Sequence, residues 1–132
     1  MIQKAVEKWE EKKQEIRNDF ENKFPKDYKE LVTTVLTHIY DKDHLCFDIK
    51  NMTELDHGDY QGTLLYILPK DTYQPSTYWA VKVAYGSCSG CDTLQDIRET
   101  YSAYVLSNLA KEDAISDLMV LALHIVQRLK EI

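Results

Sequence analysis

"TYWAVKVAYGSCSGCDTLQDI", residues 77–97, passes from a strand through a glycine-rich turn into a helix. In its first half Trp79, Val81, Val83 and Tyr85 point one way and Ala80, Lys82 and Ala84 the other, the two-residue period of a strand. One face of the resulting sheet is bulky and requires cover. In its second half Asp92 precedes Thr93, Leu94 and Gln95, the sequence form of an N-cap aspartate with a capping-box glutamine three residues on. Leu94, Ile97, Tyr101, Tyr104 and Val105 carry the apolar face onward. A strand that feeds a covering helix predicts an α+β domain.

Upstream, "TLLYILP" (63–69) reads as a second strand, joined to the first stretch by the polar, proline-containing loop "KDTYQPS". Leu45, Phe47 and Ile49 alternate with Cys46, Asp48 and Lys50, which predicts the first strand of a three-stranded antiparallel meander. "NMTELDHGDYQG" (51–62) collects turn formers and is taken as the connection. Tyr28, Leu31, Val32, Val35, Leu36 and Ile39 follow the helical period, giving a core helix. Before it, Ile2, Val6, Trp9, Ile16, Phe20 and Phe24 form a narrow stripe on a charged helix that Pro25 interrupts. That stripe predicts packing along the domain or a homodimer through the first helix. Ile115, Leu118, Met119, Ala122, Ile125, Val126 and Leu129 place a last helix near the carboxyl end. The expected fold is a single α+β domain over residues 1–132: two N-terminal helices, a three-stranded antiparallel sheet, and two C-terminal helices packed on it.

With 132 residues, 44% hydrophobic and 29% charged, the chain is long enough to bury a real core. Nothing in it has signal-peptide form or the roughly 20 apolar residues of a membrane span, so a cytoplasmic protein without membrane contact is expected. Three cysteines, an odd number, do not make a secreted disulfide framework. The net charge of -6 is concentrated in residues 41–61 and 92–117, each with six acids against two bases. That sign disfavours direct nucleic-acid binding, which depends on neutralising phosphates. An acidic surface suits solubility or a basic partner.

Cys88 and Cys91 form a C-x-x-C between a strand and a helix start, where the helix dipole favours a thiolate. The βαβ context of a thioredoxin-like protein is absent. C-x-x-C is also half of a zinc site, for which Cys46, His44 and His57 are further candidate ligands. Zinc is therefore the alternative to a protein without cofactor. Ser87, Ser89 and the amides of the turn offer an anion pocket without the lysine of a P-loop. A purely structural turn, with Asp92 capping the helix, needs no ligand at all. Asp56, Asp59, Asp92 and Asp96 could converge around it, but no pair has a spacing diagnostic of catalysis.

Taken together, "GDYQGTLLYIL" and "YWAVKVAYGSCSGCDTLQ" resemble a group of small bacteriophage and bacterial proteins with a Y-Q-G strand start and a G-S-C-S-x-C-D-x-x-Q turn. The likeness spans roughly residues 58 to 95, and the matching positions are Tyr60, Gln61, Gly62, Gly86, Ser87, Cys88, Ser89, Cys91, Asp92 and Gln95. The resemblance implies a phage-type accessory protein that acts on host machinery by binding. The expectation is an acidic protein that binds a host protein or a small ligand, with inhibition of a defence system as one outcome. A metal or thiol protein centred on Cys88 and Cys91 is the alternative.

Overall fold

Asp27 starts a helix of the core. In the computed structural model, which describes residues 2–58, 62–86, 92–103 and 108–132, its carboxylate accepts the Glu30 amide at 2.9 Å. From that cap α2 runs Tyr28–Ile39, and all six residues of its predicted apolar face are buried. The preceding helix, α1, ends earlier than Pro25 requires, at Ile2–Asn22. A short link therefore separates the two helices. Asp27→Ala is expected to cost about 1 kcal/mol in a urea titration, the usual loss when an N-cap oxygen is removed.

The α1 stripe is consumed within the chain. Ala5, Trp9, Ile16 and Phe20 are buried, with α1 lying against α2 and against α4, Asn108–Arg128. Among the described residues α1 leaves no large hydrophobic side chain exposed. Its outward side carries pairs such as Lys4–Glu7, Lys13–Glu10 and Arg17–Glu21, each worth a few tenths of a kcal/mol. His38 of α2 and Asp19 of α1 bond across the helix pair.

Four strands, not three, form one antiparallel sheet in the order β1-β2-β3-β4. They are β1 Thr53–Gly58, β2 Gly62–Pro69, β3 Tyr78–Tyr85 and β4 Lys130–Glu131. The two long strands agree with the expectation: Tyr66, Leu68, Trp79, Val81 and Val83 are buried on one face. The helices cover that face, with α4 directly on β3.

The first strand is corrected. Residues 45–50 do not form it, because Leu45 and Phe47 make only isolated bridges to Asp41 and Lys70. Asp48 then turns the chain into a 3-10 helix, Ile49–Asn51, by accepting the Lys50 amide. The edge strand is instead Thr53–Gly58, whose six residues are all exposed. Its pairing with β2 closes Gly58 onto Gly62, where a Cβ on Gly62 would lie 2.3 Å from the His57 carbonyl oxygen. Only glycine allows that approach.

The end of the last helix is corrected too. Lys130 and Glu131 leave the helical path and pair with Ala80 and Trp79, and the Ile132 amide donates to the Tyr78 carbonyl at 2.7 Å. Among the described residues no helix is long and apolar enough to cross a membrane.

Candidate functional site

The capping motif of the opening stretch becomes the centre of a buried polar cluster. Asp92 stands directly before α3, Thr93–Ala103, and its Oδ1 accepts the Gln95 amide at 3.0 Å. The same oxygen accepts the Tyr28 hydroxyl at 2.8 Å. Its Oδ2 accepts the Gly86 amide at 2.8 Å. Asp92 is only 4% exposed, the one buried charged residue among those described, and three donors are what make that burial tolerable.

Tyr28 works in both directions, donating to Asp92 and accepting the Leu94 amide at 3.3 Å. Gln95 departs from the capping-box form. Its Nε2 reaches the Gly86 carbonyl at 3.2 Å instead of the backbone of its cap. Asp92 and Gln95 thereby hold both main-chain groups of Gly86, fastening the end of β3 to the start of α3.

This cluster forms one end of a cleft of about 480 Å³ that lies between β1, β2 and the starts of α2 and α3. Two further tyrosines in its lining bond carboxylates of the edge strand. Tyr66 donates to Glu54 at 2.6 Å and Tyr85 donates to Asp56. The lining also holds Lys26, Asp27, Lys29 and Arg98, and Arg98 is held by a 2.7 Å bond to the Lys26 carbonyl. Leu64 and Leu94 contribute apolar surface.

Burial first, then the bond to Asp92, raises the Tyr28 phenol well above its ordinary range. Burial and then the Glu54 bond do the same to Tyr66. Both remain protonated donors at neutral pH, so neither supplies a phenolate base. The arrangement offers positioned donors, acceptors and charge to a guest.

No family model, curated protein or solved structure matches the chain.

Apart from His57 on β1 and Asp96 in the first turn of α3, the predicted site residues divide into three groups. Asp92 and Gln95 meet in the cluster, and Asp56 lines the same cleft. Ser87, Cys88, Ser89 and Cys91, with Tyr60, Gln61 and Asp59, lie outside the described residues. His44 and Cys46 stand elsewhere: the Cys46 carbonyl accepts the Asp71 amide at 2.7 Å, just beyond the end of β2. Gly86 follows Tyr85, which pairs with Gly62 at the beginning of β2. An eight-residue strand at about 3.3 Å per residue separates those ends by roughly 25 Å, whereas two zinc ligands lie within about 5 Å of each other. His44 and Cys46 therefore do not join Gly86 and Asp92, the residues that bracket the C-x-x-C. Among the described residues no group of three or more histidine, cysteine or acidic side chains is placed to hold a metal.

The sequence did not mark Tyr28, Glu54, Tyr66, Tyr85 or the cations Lys26, Lys29 and Arg98 as site residues. Tyr28 reads as one more apolar position on α2, and Glu54 falls in a segment rich in turn formers.

Proposed function

We propose that the protein works by binding, as an acidic phage-type accessory protein that takes hold of a host protein and thereby interferes with host defence. The partner's chain enters the cleft at Tyr28 and Asp92. One observation carries this reading: the cleft is lined by side chains of both signs, the carboxylates of Asp27, Glu54 and Asp56 together with the cations of Lys26, Lys29 and Arg98. A polypeptide segment with side chains of both signs and free amide groups suits that mixed lining. Apolar surface from Leu64 and Leu94 adds non-polar contact. Because Tyr28, Tyr66 and Tyr85 are already bonded to carboxylates, the side chains are ordered before the guest arrives. Such preorganisation lowers the cost of association.

The test is capture from a bacterial host extract followed by gel filtration. Wild-type protein is expected to retain one stoichiometric host protein, and Lys29→Glu or Asp56→Asn to weaken that complex by roughly tenfold or more, equivalent to about 1.4 kcal/mol. Lys29 and Asp56 are exposed, so the urea midpoint should hardly move. Retention of the partner by both variants, absence of any stoichiometric partner, or turnover of a substrate by the purified protein would overturn the proposal.

A further inference from the structure

The sheet has a second face, and among the described residues no helix is packed on it. Strand alternation directs Tyr66, Leu68, Trp79, Val81 and Val83 toward the helices, where all are buried. The opposite set includes Leu55, Leu65, Ile67, Tyr78, Ala80 and Ala84, and none of these is buried. Register makes them contiguous, with Leu55 beside Leu65 and Ile67 beside Ala80. Leu55 is 47% and Tyr78 38% exposed. An antiparallel sheet with one face in water ordinarily carries polar side chains there. An apolar patch of this kind, bordered by Thr53, His57, Thr63, Lys82 and Lys130 on the same face, marks an interaction surface instead.

Charge narrows the occupant. The chain holds 22 acidic and 16 basic side chains, yet the described strand residues of this face include no carboxylate. Its charged residues are Lys82 and Lys130, Lys130 being placed here by its pairing with Ala80. The strand carboxylates Glu54, Asp56 and Glu131 pair with Tyr66, Leu64 and Trp79 and so belong to the other face. The carboxylates of the described strands are thus segregated from the apolar surface.

We propose that this face docks an acidic amphipathic helix of a partner protein, its apolar side on the leucines and isoleucine and its carboxylates on Lys82 and Lys130. A helix laid here completes a helix–sheet–helix sandwich, the usual way to cover both faces of a sheet. A second copy of the face is a poor match, since stacking would set lysines near lysines with no carboxylate between them. The surface lies across the sheet from the cleft, so this inference goes beyond the host-protein reading and fails separately from it.

The probe is an end-labelled amphipathic peptide of about 18 residues, leucine on one side and glutamate on the other, compared by fluorescence anisotropy with its lysine-for-glutamate counterpart. The glutamate peptide is expected to bind saturably and roughly tenfold tighter than the lysine peptide. Lys82→Glu combined with Lys130→Glu should reverse that order, Leu65→Asn should weaken both peptides, and Lys29→Glu in the cleft should change neither. Lys82 and Lys130 are exposed, so the charge-reversed protein reports even if Leu65→Asn fails to fold. Equal affinity for the two peptides, or no saturable binding, overturns the proposal. So does sedimentation with phosphatidylglycerol vesicles without peptide binding, or dimerisation abolished by Lys82→Glu.

Discussion

Asp92→Ala protein is expected to lose about 3–5 kcal/mol of unfolding free energy in a urea titration, a large part of the stability of a domain this size. The substitution strips the acceptor from the Tyr28 hydroxyl, the Gly86 amide and the Gln95 amide together. Each buried donor left without a partner costs about 1–3 kcal/mol, and the lost helix cap accounts for about 1 of the total. Tyr28→Phe removes one donor to Asp92 and one acceptor for Leu94, and should cost about 1–2 kcal/mol. Because the two side chains share one network, the double variant should be less destabilised than the sum of the singles.

The same cluster sets an alkaline limit. The Tyr28 phenol is raised above its ordinary 10.0 by burial and by Asp92, so the native state keeps the proton that the unfolded chain releases near that pH. Its contribution is complete below pH 10.0 and is lost as the pH rises further. Tyr66 adds in the same direction. Urea midpoints measured above that pH should fall more gently for Tyr28→Phe than for wild type, relative to their values at neutral pH. Parallel declines would refute this account of Tyr28.

The second large effect is expected at Trp9. Its ring is 4% exposed, and the surface beside it is formed by Met119, Val120 and Leu123 of α4. Trp9→Glu places a carboxylate in that packing and removes the largest apolar side chain of α1, for a loss of about 4 kcal/mol. Light scattering should give the same oligomeric state as wild type while the thermal midpoint drops sharply. A change of mass at unaltered stability would restore α1 as a subunit contact. Phe20→Ala, fully buried on the same stripe, should lose about 3–5 kcal/mol by cavity formation alone.

What could be read in the sequence follows from where alternation meets burial. β2 and β3 were legible because one side of each faces helices, so bulky and smaller residues separate by position. β1 was not, since all six of its residues are exposed and no hydrophobic period is imposed on it. Leu45 and Phe47 have strand period and full burial, but their burial comes from isolated bridges and from aromatic contacts of Phe47 with Tyr40 and Trp79. β4 is two charged residues that continue a helical pattern until pairing with β3 claims them. At the site, Asp92 and Gln95 were visible because capping is local chemistry. Tyr28 lies 64 residues from Asp92, and nothing in its neighbourhood announces a partner at that distance. Glu54 is similarly dependent on the fold, its bond to Tyr66 existing only once β1 pairs with β2.

Tyr28 and Asp92 clasp α2 to α3 and at the same time line the cleft. Occupancy and unfolding are therefore thermodynamically linked: a guest seated there is lost when the clasp opens, so saturating ligand raises the melting temperature. At a hundredfold excess over Kd the linkage amounts to about 2.7 kcal/mol. Heat alone can thus serve as the assay, ranking candidate guests by the rise in melting temperature that each one produces.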